Sequence, residues 1–113
     1  MIDPQEAVFN FVRTVPNGKV VTYGQVADMV EGVALQARQV GGIMALCPED
    51  VPWHRVIGAG GKLIIVKRSP HLQQKQHDLL GLEGITFLGD GRVDMGVHQW
   101  NTFPNKENLF SQD

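Results

Sequence analysis

The 113-residue sequence contains a single cysteine, Cys47. One thiol can neither close an intrachain disulfide nor build a multi-thiolate metal site, so zinc-finger chemistry is excluded. Metal-ligand spacing among the histidines is missing too. His54, His71, His77 and His98 form no HExxH pattern, and His71 and His77 stand six apart, off a common helical face. No metal site and no cofactor are expected. Nor is there any run of about 18 to 20 apolar residues of the kind a bilayer span requires, so no membrane partner is expected. The opening MIDPQEAVFNFV lacks the basic, apolar and small-residue order of a signal peptide. The chain therefore reads as soluble and intracellular.

Acidic residues are missing from two long stretches. Gly32 to Pro48 has no acid and one base, Arg38. Val51 to His77 again has no acid, while Arg55, Lys62, Lys67, Arg68 and Lys75 are all basic. The formal net charge of −2 thus conceals a central region that favours polyanions. A solvated face produces such a run as well, so charge alone does not decide for nucleic acid.

What is present fits one domain over residues 1–100, with 42% hydrophobic residues for a modest core, followed by a polar, aperiodic tail over 101–113 expected to be disordered. Asp3-Pro4 reads as an N-cap and first helical position. Ala7, Val8, Phe11, Val12 and Val15 then supply a buried stripe, predicting a helix over 4–14 that ends at Pro16-Asn17-Gly18. Lys19 to Val21 is a short extended piece. Thr22 with Gln25 forms a capping box for a second helix, with Val26, Ala27, Met29 and Val30 inward, stopping near Glu31-Gly32. A third helix is predicted over 35–46, drawing its apolar face from Leu35, Val40, Ile43, Met44 and Leu46. The last two helices have the sequence form of a helix-turn-helix.

Gly41-Gly42 falls in the middle of the third helix, where each Gly costs ~1 kcal/mol relative to Ala. Close packing against another helix would account for the pair, and so would entry of that face into a groove. Beyond it, Arg55 to Ile57 and Lys62 to Val66 around the Gly58–Gly61 turn predict a wing-like hairpin. Ser69-Pro70 restarts a helix to Leu82 with Leu72, Leu79 and Leu82 inward. Ile85 to Leu88 and Arg92 to Met95, around Gly89-Asp90-Gly91, predict a second small hairpin. The fold class is mostly α with a small β-hairpin, a winged helix-turn-helix.

The stretch PWHRV, residues 52–56, carries the chemistry. His54 could act as a general base and Glu83 as its orienting partner, the arrangement that activates a nucleophile. The residue beside the base is Trp53, whose indole offers one N–H donor, no acceptor and no usable nucleophile. Such a site is equipped to bind and not to react.

Four segments in order, TYGQVA (22–27), ARQVGGIM (37–44), PWHRVIGAGGKL (52–63) and LEGI (82–85), resemble the DNA-binding domain of the O6-alkylguanine-DNA alkyltransferases. The active-site motif of those enzymes reads PCHRV, and its cysteine accepts the alkyl group. Trp53 in that place is the mark of the alkyltransferase-like proteins, which bind alkylated DNA without repairing it and hand the lesion to nucleotide excision repair. The resemblance covers residues 4–100.

It implies a role for each matching position. Tyr23 would press on the phosphate beside the target nucleotide, where an unrelated chain would simply have a cap-region aromatic. Arg38 would enter through the minor groove and fill the gap in the base stack, a use that suits a planar, permanently charged guanidinium. Gln36, Ala37, Gln39 and Gly41 would share the DNA-facing helix. Pro52, Trp53 and Val56 would line the pocket for the flipped base, with His54, Arg55 and Glu83 holding its shape. Arg68 would reach the modified guanine edge, with Ser69 beside it in a flap or serving only as a helix cap.

Two departures stand out. Cys47-Pro48 replaces the Asn-Pro of the enzymes, and Gln36 and Gln39 replace smaller residues. Cys47 reads as a small, buried, apolar residue. The resemblance implies no catalytic residue, and a monomer whose partners are double-stranded DNA containing O6-alkylguanine and nucleotide excision repair proteins. It also implies a place at the nucleoid in a bacterium and in the nucleus of a eukaryote. An alkyltransferase using Cys47, a hydrolase using His54 and a helix-turn-helix transcription regulator are the alternatives.

Overall fold

The computed structural model describes residues 3–64 and 70–101. Helix α1 spans Pro4–Arg13, and Asp3 caps it by accepting a hydrogen bond from Gln5 N. Val8, Val12 and Val15 are buried as the spacing predicts; Phe9 joins them, and Phe11 lies partly buried against the ring of Trp100. Strand β1, Val21–Thr22, leads directly into helix α2, Tyr23–Met29. The capping box forms as expected: Gln25 N donates to Thr22 Oγ1 at 3.0 Å and Thr22 N donates to Gln25 Oε1 at 3.3 Å.

Helix α3 is shorter than its apolar pattern suggests, spanning Ala37–Met44. Gln36 is extended and serves as the N-cap residue, with its N–H bonded to Gln39 Oε1 at 2.8 Å. At the other end Leu46 N donates to Ile43 O and Cys47 N to Met44 O. These i→i+3 bonds tighten the last turn before Pro48 and leave Leu46 70% exposed, outside the core. Helices α1, α2 and α3 pack on one another around a cluster built mainly of valines.

The first hairpin does not form among the described residues. Strand β2, Val56–Ile57, pairs in parallel with β1, Val21 opposite Val56 and Thr22 opposite Ile57. The following glycines turn the chain away. Gly60 and Gly61 have φ of 75° and 93°, Gly58 N donates to Lys62 O, and Gly61 O accepts from Val93 N at 2.8 Å. A Cβ on Gly61 would collide with the Val93 carbonyl, so only glycine permits this approach. Ile65 and Val66, the far end of the predicted wing strand, lie outside the described residues. So does the tail from 102 onward.

Helix α4 spans Pro70–Leu82, as Pro70 signals; its proposed cap, Ser69, lies outside the described residues. Its inward face is not the leucine set. Gln76 and Leu80 are buried and Leu79 is half-buried, while Leu72 and Leu82 are 39% and 84% exposed. Spacing explains this: 76 and 80 share a face, and the polar amide of Gln76 finds carbonyl partners inside.

The second hairpin exists in minimal form. Phe87 and Val93 make an antiparallel bridge flanked by the Leu88 N to Arg92 O and Asp94 N to Thr86 O bonds. Its second arm stops at Asp94, where the short helix α5, Met95–His98, begins. The chain then returns to β1. Val20 N donates to His98 O, Trp100 N donates to Val20 O, and Gln99 Nε2 donates to Gln25 Oε1 at 2.9 Å. Residues 98–100 thus brace the N-terminus of α2.

Candidate nucleic-acid interface

Residues Trp53–Arg55 form one 3₁₀ turn between Pro52 and β2. Three segments converge on it through the carboxylate of Glu83, which follows directly on α4. His54 Nε2 lies 2.6 Å from Glu83 Oε2. Arg55 donates to the same carboxylate from Nε at 3.1 Å and Nη2 at 2.8 Å, and Gly18 N donates to Oε1 at 3.1 Å. The other arm of Arg55, Nη1, donates to Val15 O at 2.8 Å. Burial alone would raise the Glu83 carboxyl, but the hydrogen bonds from Arg55, His54 and Gly18 outweigh it and hold the pKa at about 2. The structure brings His54 and Glu83 together and adds Arg55 to the same carboxylate.

Glu83 therefore works as a fixed anion that orients two side chains of one turn. The described residues place no nucleophile beside His54. Trp53 is half-buried, packs partly on the main core and meets the His54 ring edge-on at 6.2 Å. Its outer side opens on a cleft of about 550 Å³ lined by Glu49, Asp50, Val51, Pro52, Trp53, His54, Lys75 and Leu79. Pro52 lies in this wall, whereas Val56 is fully buried in the core and does not line it. Arg68 and Ser69 lie outside the described residues.

The sequence marks Lys75 only as part of a basic stretch and Leu79 only as an inward leucine, and assigns neither of them, nor Glu49 or Asp50, to this cleft, since nothing local marks a residue that reaches it from a neighbouring element. Arg13 binds both oxygens of Asp50, and this hydrogen bonding holds the carboxyl below its usual range.

The helix pair presents a second surface. Ala37, Arg38 and Gln39 are exposed on the first turn of α3, and Gln36 is exposed at its cap. Arg38 makes no hydrogen bond or ion pair with the described residues and is free to reach outward. Gln39 spends its side-chain oxygen on the cap and keeps its amide NH₂ for other partners. The two glycines divide the explanations between them. Gly41 is buried among the helices, while Gly42 is exposed and a Cβ there would meet nothing within 4 Å. Burial sets the first apart; an open face is left at the second.

Tyr23, at the start of α2, is half-buried with its hydroxyl donating to Ile64 O at 3.1 Å. Burial, and then the nearby Cys47, push its phenol above the usual value. Cys47 packs partly on the main core, and burial and then Asp50 raise its thiol. A thiol held in the protonated form is a poor nucleophile.

Residues 3–85 match the family model described as 6-O-methylguanine DNA methyltransferase, DNA binding domain. The chain is 38% identical over 98 residues to the DNA base-flipping protein of Escherichia coli K12, covering 85% of this chain and 73% of that protein. It is 42% identical over 100 residues to alkyltransferase-like protein 1 of Schizosaccharomyces pombe, covering 82% and 90%. The crystal structure of S. pombe Atl1 in complex with damaged DNA containing O6-carboxymethylguanine aligns with a TM-score of 0.73 at 32% identity, over 90% of this chain and 100% of that one. The chain belongs to the family of the 6-O-methylguanine DNA methyltransferase DNA-binding domain and is similar to its alkyltransferase-like members.

Proposed function

We propose that this protein is a non-enzymatic sensor of alkylated DNA. It would lay α3 in the minor groove, rotate an O6-alkylguanine out of the stack and hold it against Trp53 without chemistry. One observation carries this reading: Trp53 occupies the turn beside His54 while the Glu83, His54 and Arg55 frame stays assembled around it. The frame that would position a nucleophile is kept, and the side chain at the reacting position can only stack and donate. Cys47 packs partly against the core just beyond α3, and burial shifts its thiol toward the protonated form, both of which disfavour it as an acceptor.

In this reading Arg38 fills the gap left by the flipped base and Tyr23 supports the backbone beside it. Gln36, Ala37, Gln39 and the open side of Gly42 face the duplex. Unstacking a base costs a few kcal/mol, and an aromatic wall returns about 1 to 3 kcal/mol. The relatives named above bear on the partner: one is called a base-flipping protein and another is crystallised on damaged DNA. Preference for O6-alkylguanine, action as a monomer and delivery of the lesion to nucleotide excision repair belong to the same proposal.

Competition binding between a duplex carrying O6-methylguanine and the same undamaged duplex tests it, with 2-aminopurine opposite or beside the lesion reporting base flipping. The sensor reading expects a clear lesion preference, a fluorescence rise and an affinity that falls steeply with salt. Equal affinity for the two duplexes would favour a sequence-reading regulator instead.

A further inference from the structure

Gln76 is 0% exposed, an unusual position for an amide. It lies midway along α4 and sends its side chain to the Trp53–Arg55 turn. Nε2 donates to His54 O at 3.1 Å and to Val56 O at 3.1 Å, so one nitrogen holds the backbone on both sides of Arg55. Carbonyl oxygens only accept, which fixes the amide with its nitrogen toward the turn. The consequence is a buried Oε1 with no partner among the described residues. An apolar residue could fill this buried place, so what distinguishes glutamine here is the pair of bonds it donates.

Placement on the helix explains what those bonds accomplish. Gln76 lies inside α4 and Glu83 comes directly after its last residue, so one continuous segment supplies both partners of the turn. Glu83 fastens the side chains of His54 and Arg55, and Gln76 fastens the main-chain carbonyls of His54 and Val56. Between these anchors the turn closes on itself through the Val56 N–H to Trp53 O bond. Trp53 therefore belongs to a turn whose backbone is tied to α4 by Gln76 and whose side chains are tied to Glu83 just beyond it.

We propose that Gln76 is a positioning residue for lesion recognition: it locks the backbone of the turn so that the Trp53 indole keeps its angle when a base is pressed against it. This rests on the reading of the protein as a lesion sensor. The indole touches the base in that reading, whereas Gln76 acts only through the turn.

The test is Gln76→Met, which keeps the length of the side chain and removes both donated bonds. Affinities for O6-methylguanine duplex and for the same undamaged duplex are measured alongside ¹⁹F spectra of protein labelled with 5-fluorotryptophan, in which the only tryptophans are Trp53 and Trp100. The expected result is a roughly tenfold fall in lesion preference at unchanged affinity for undamaged DNA. The Trp53 resonance moves and broadens while that of Trp100 stays in place. An unchanged preference in the folded variant, or equal disturbance of both tryptophans, overturns the assignment.

Should Gln76→Met fail to fold, the wild-type protein decides through the ¹⁵N-resolved side-chain NH₂ of Gln76. Its protons shift on binding the lesion duplex and not the undamaged one; the absence of any such difference overturns the assignment. A wild type without lesion preference would sink the sensor reading and this inference together. Retained preference in the variant sinks this inference alone.

Discussion

Around α1, α2 and α3 the buried side chains are mostly valines, from Val8 and Val12 to Val26, Val40 and Val56, and their contacts are non-directional. Around the Trp53 turn the contacts are directional and charged: one carboxylate takes bonds from His54, Arg55 and Gly18, and one buried amide takes two carbonyls. Apolar packing tolerates small shifts, since its strength follows area more than angle. A hydrogen-bonded frame fixes orientation, and fails when one member is removed. The helical core contributes stability without fixing a direction, and the polar frame contributes stability and also the pose of one indole.

Glu83→Ala puts this comparison under the greatest load. It strips His54 and Arg55 of their buried anion, and a loss of about 3 to 5 kcal/mol is expected by urea unfolding, together with loss of lesion preference. Acid should act on the same point. The folded-state pKa of Glu83, about 2, lies below the ordinary carboxyl value. Its contribution is therefore complete above about pH 5 and is lost as pH falls toward 2, up to about 3 kcal/mol. Unfolding free energy followed from pH 6 to pH 2 should show this slope, and Glu83→Gln should flatten it.

Trp53→Ala is expected to spare the fold and cost lesion binding about 1 to 3 kcal/mol, read by competition against undamaged duplex. Val12→Ala should do the opposite. Removing two buried methyl groups lowers stability by about 2 kcal/mol and leaves the lesion-to-undamaged affinity ratio where it was. If Val12→Ala changed that ratio as much as Trp53→Ala, the division between core and frame would not stand. The smallest effect is expected from Gly42→Ala. Open space at that position predicts a gain of up to ~1 kcal/mol in stability, with weakened binding to any duplex if this face of α3 enters a groove. A rise in both melting temperature and DNA affinity would remove Gly42 from the interface.

The same division separates what was legible in the sequence. Local signals were reliable for the helices: Asp3-Pro4, the Thr22 and Gln25 box and Pro70 each mark an observed start. Non-local pairing was not. Val56-Ile57 carries the pattern of a strand, but no neighbour announces that its partner is Val21-Thr22 rather than the segment just after the glycine turn. On α4 the leucines suggested a face that the helix does not bury, because the buried place belongs to Gln76, whose carbonyl partners come from a distant turn.

Within the candidate site, chemistry named His54, Glu83 and Trp53, and the fold brings the first two into contact with the third beside them. Three features emerge only in the fold. Arg55 reaches both Glu83 and Val15 O, Val56 sits inside the core and not in the cleft wall, and the opposed environments of Gly41 and Gly42 divide a pair that reads as a unit in sequence.

The most direct measurement of the central claim is the fate of a labelled methyl group. Duplex DNA carrying O6-methylguanine with an isotopic methyl is incubated with stoichiometric protein, and label is counted separately on protein, on DNA and in free solution. A site with an indole in the reacting position predicts that the label stays on DNA inside a stable complex. Label transferred to the protein or released into solution would contradict it.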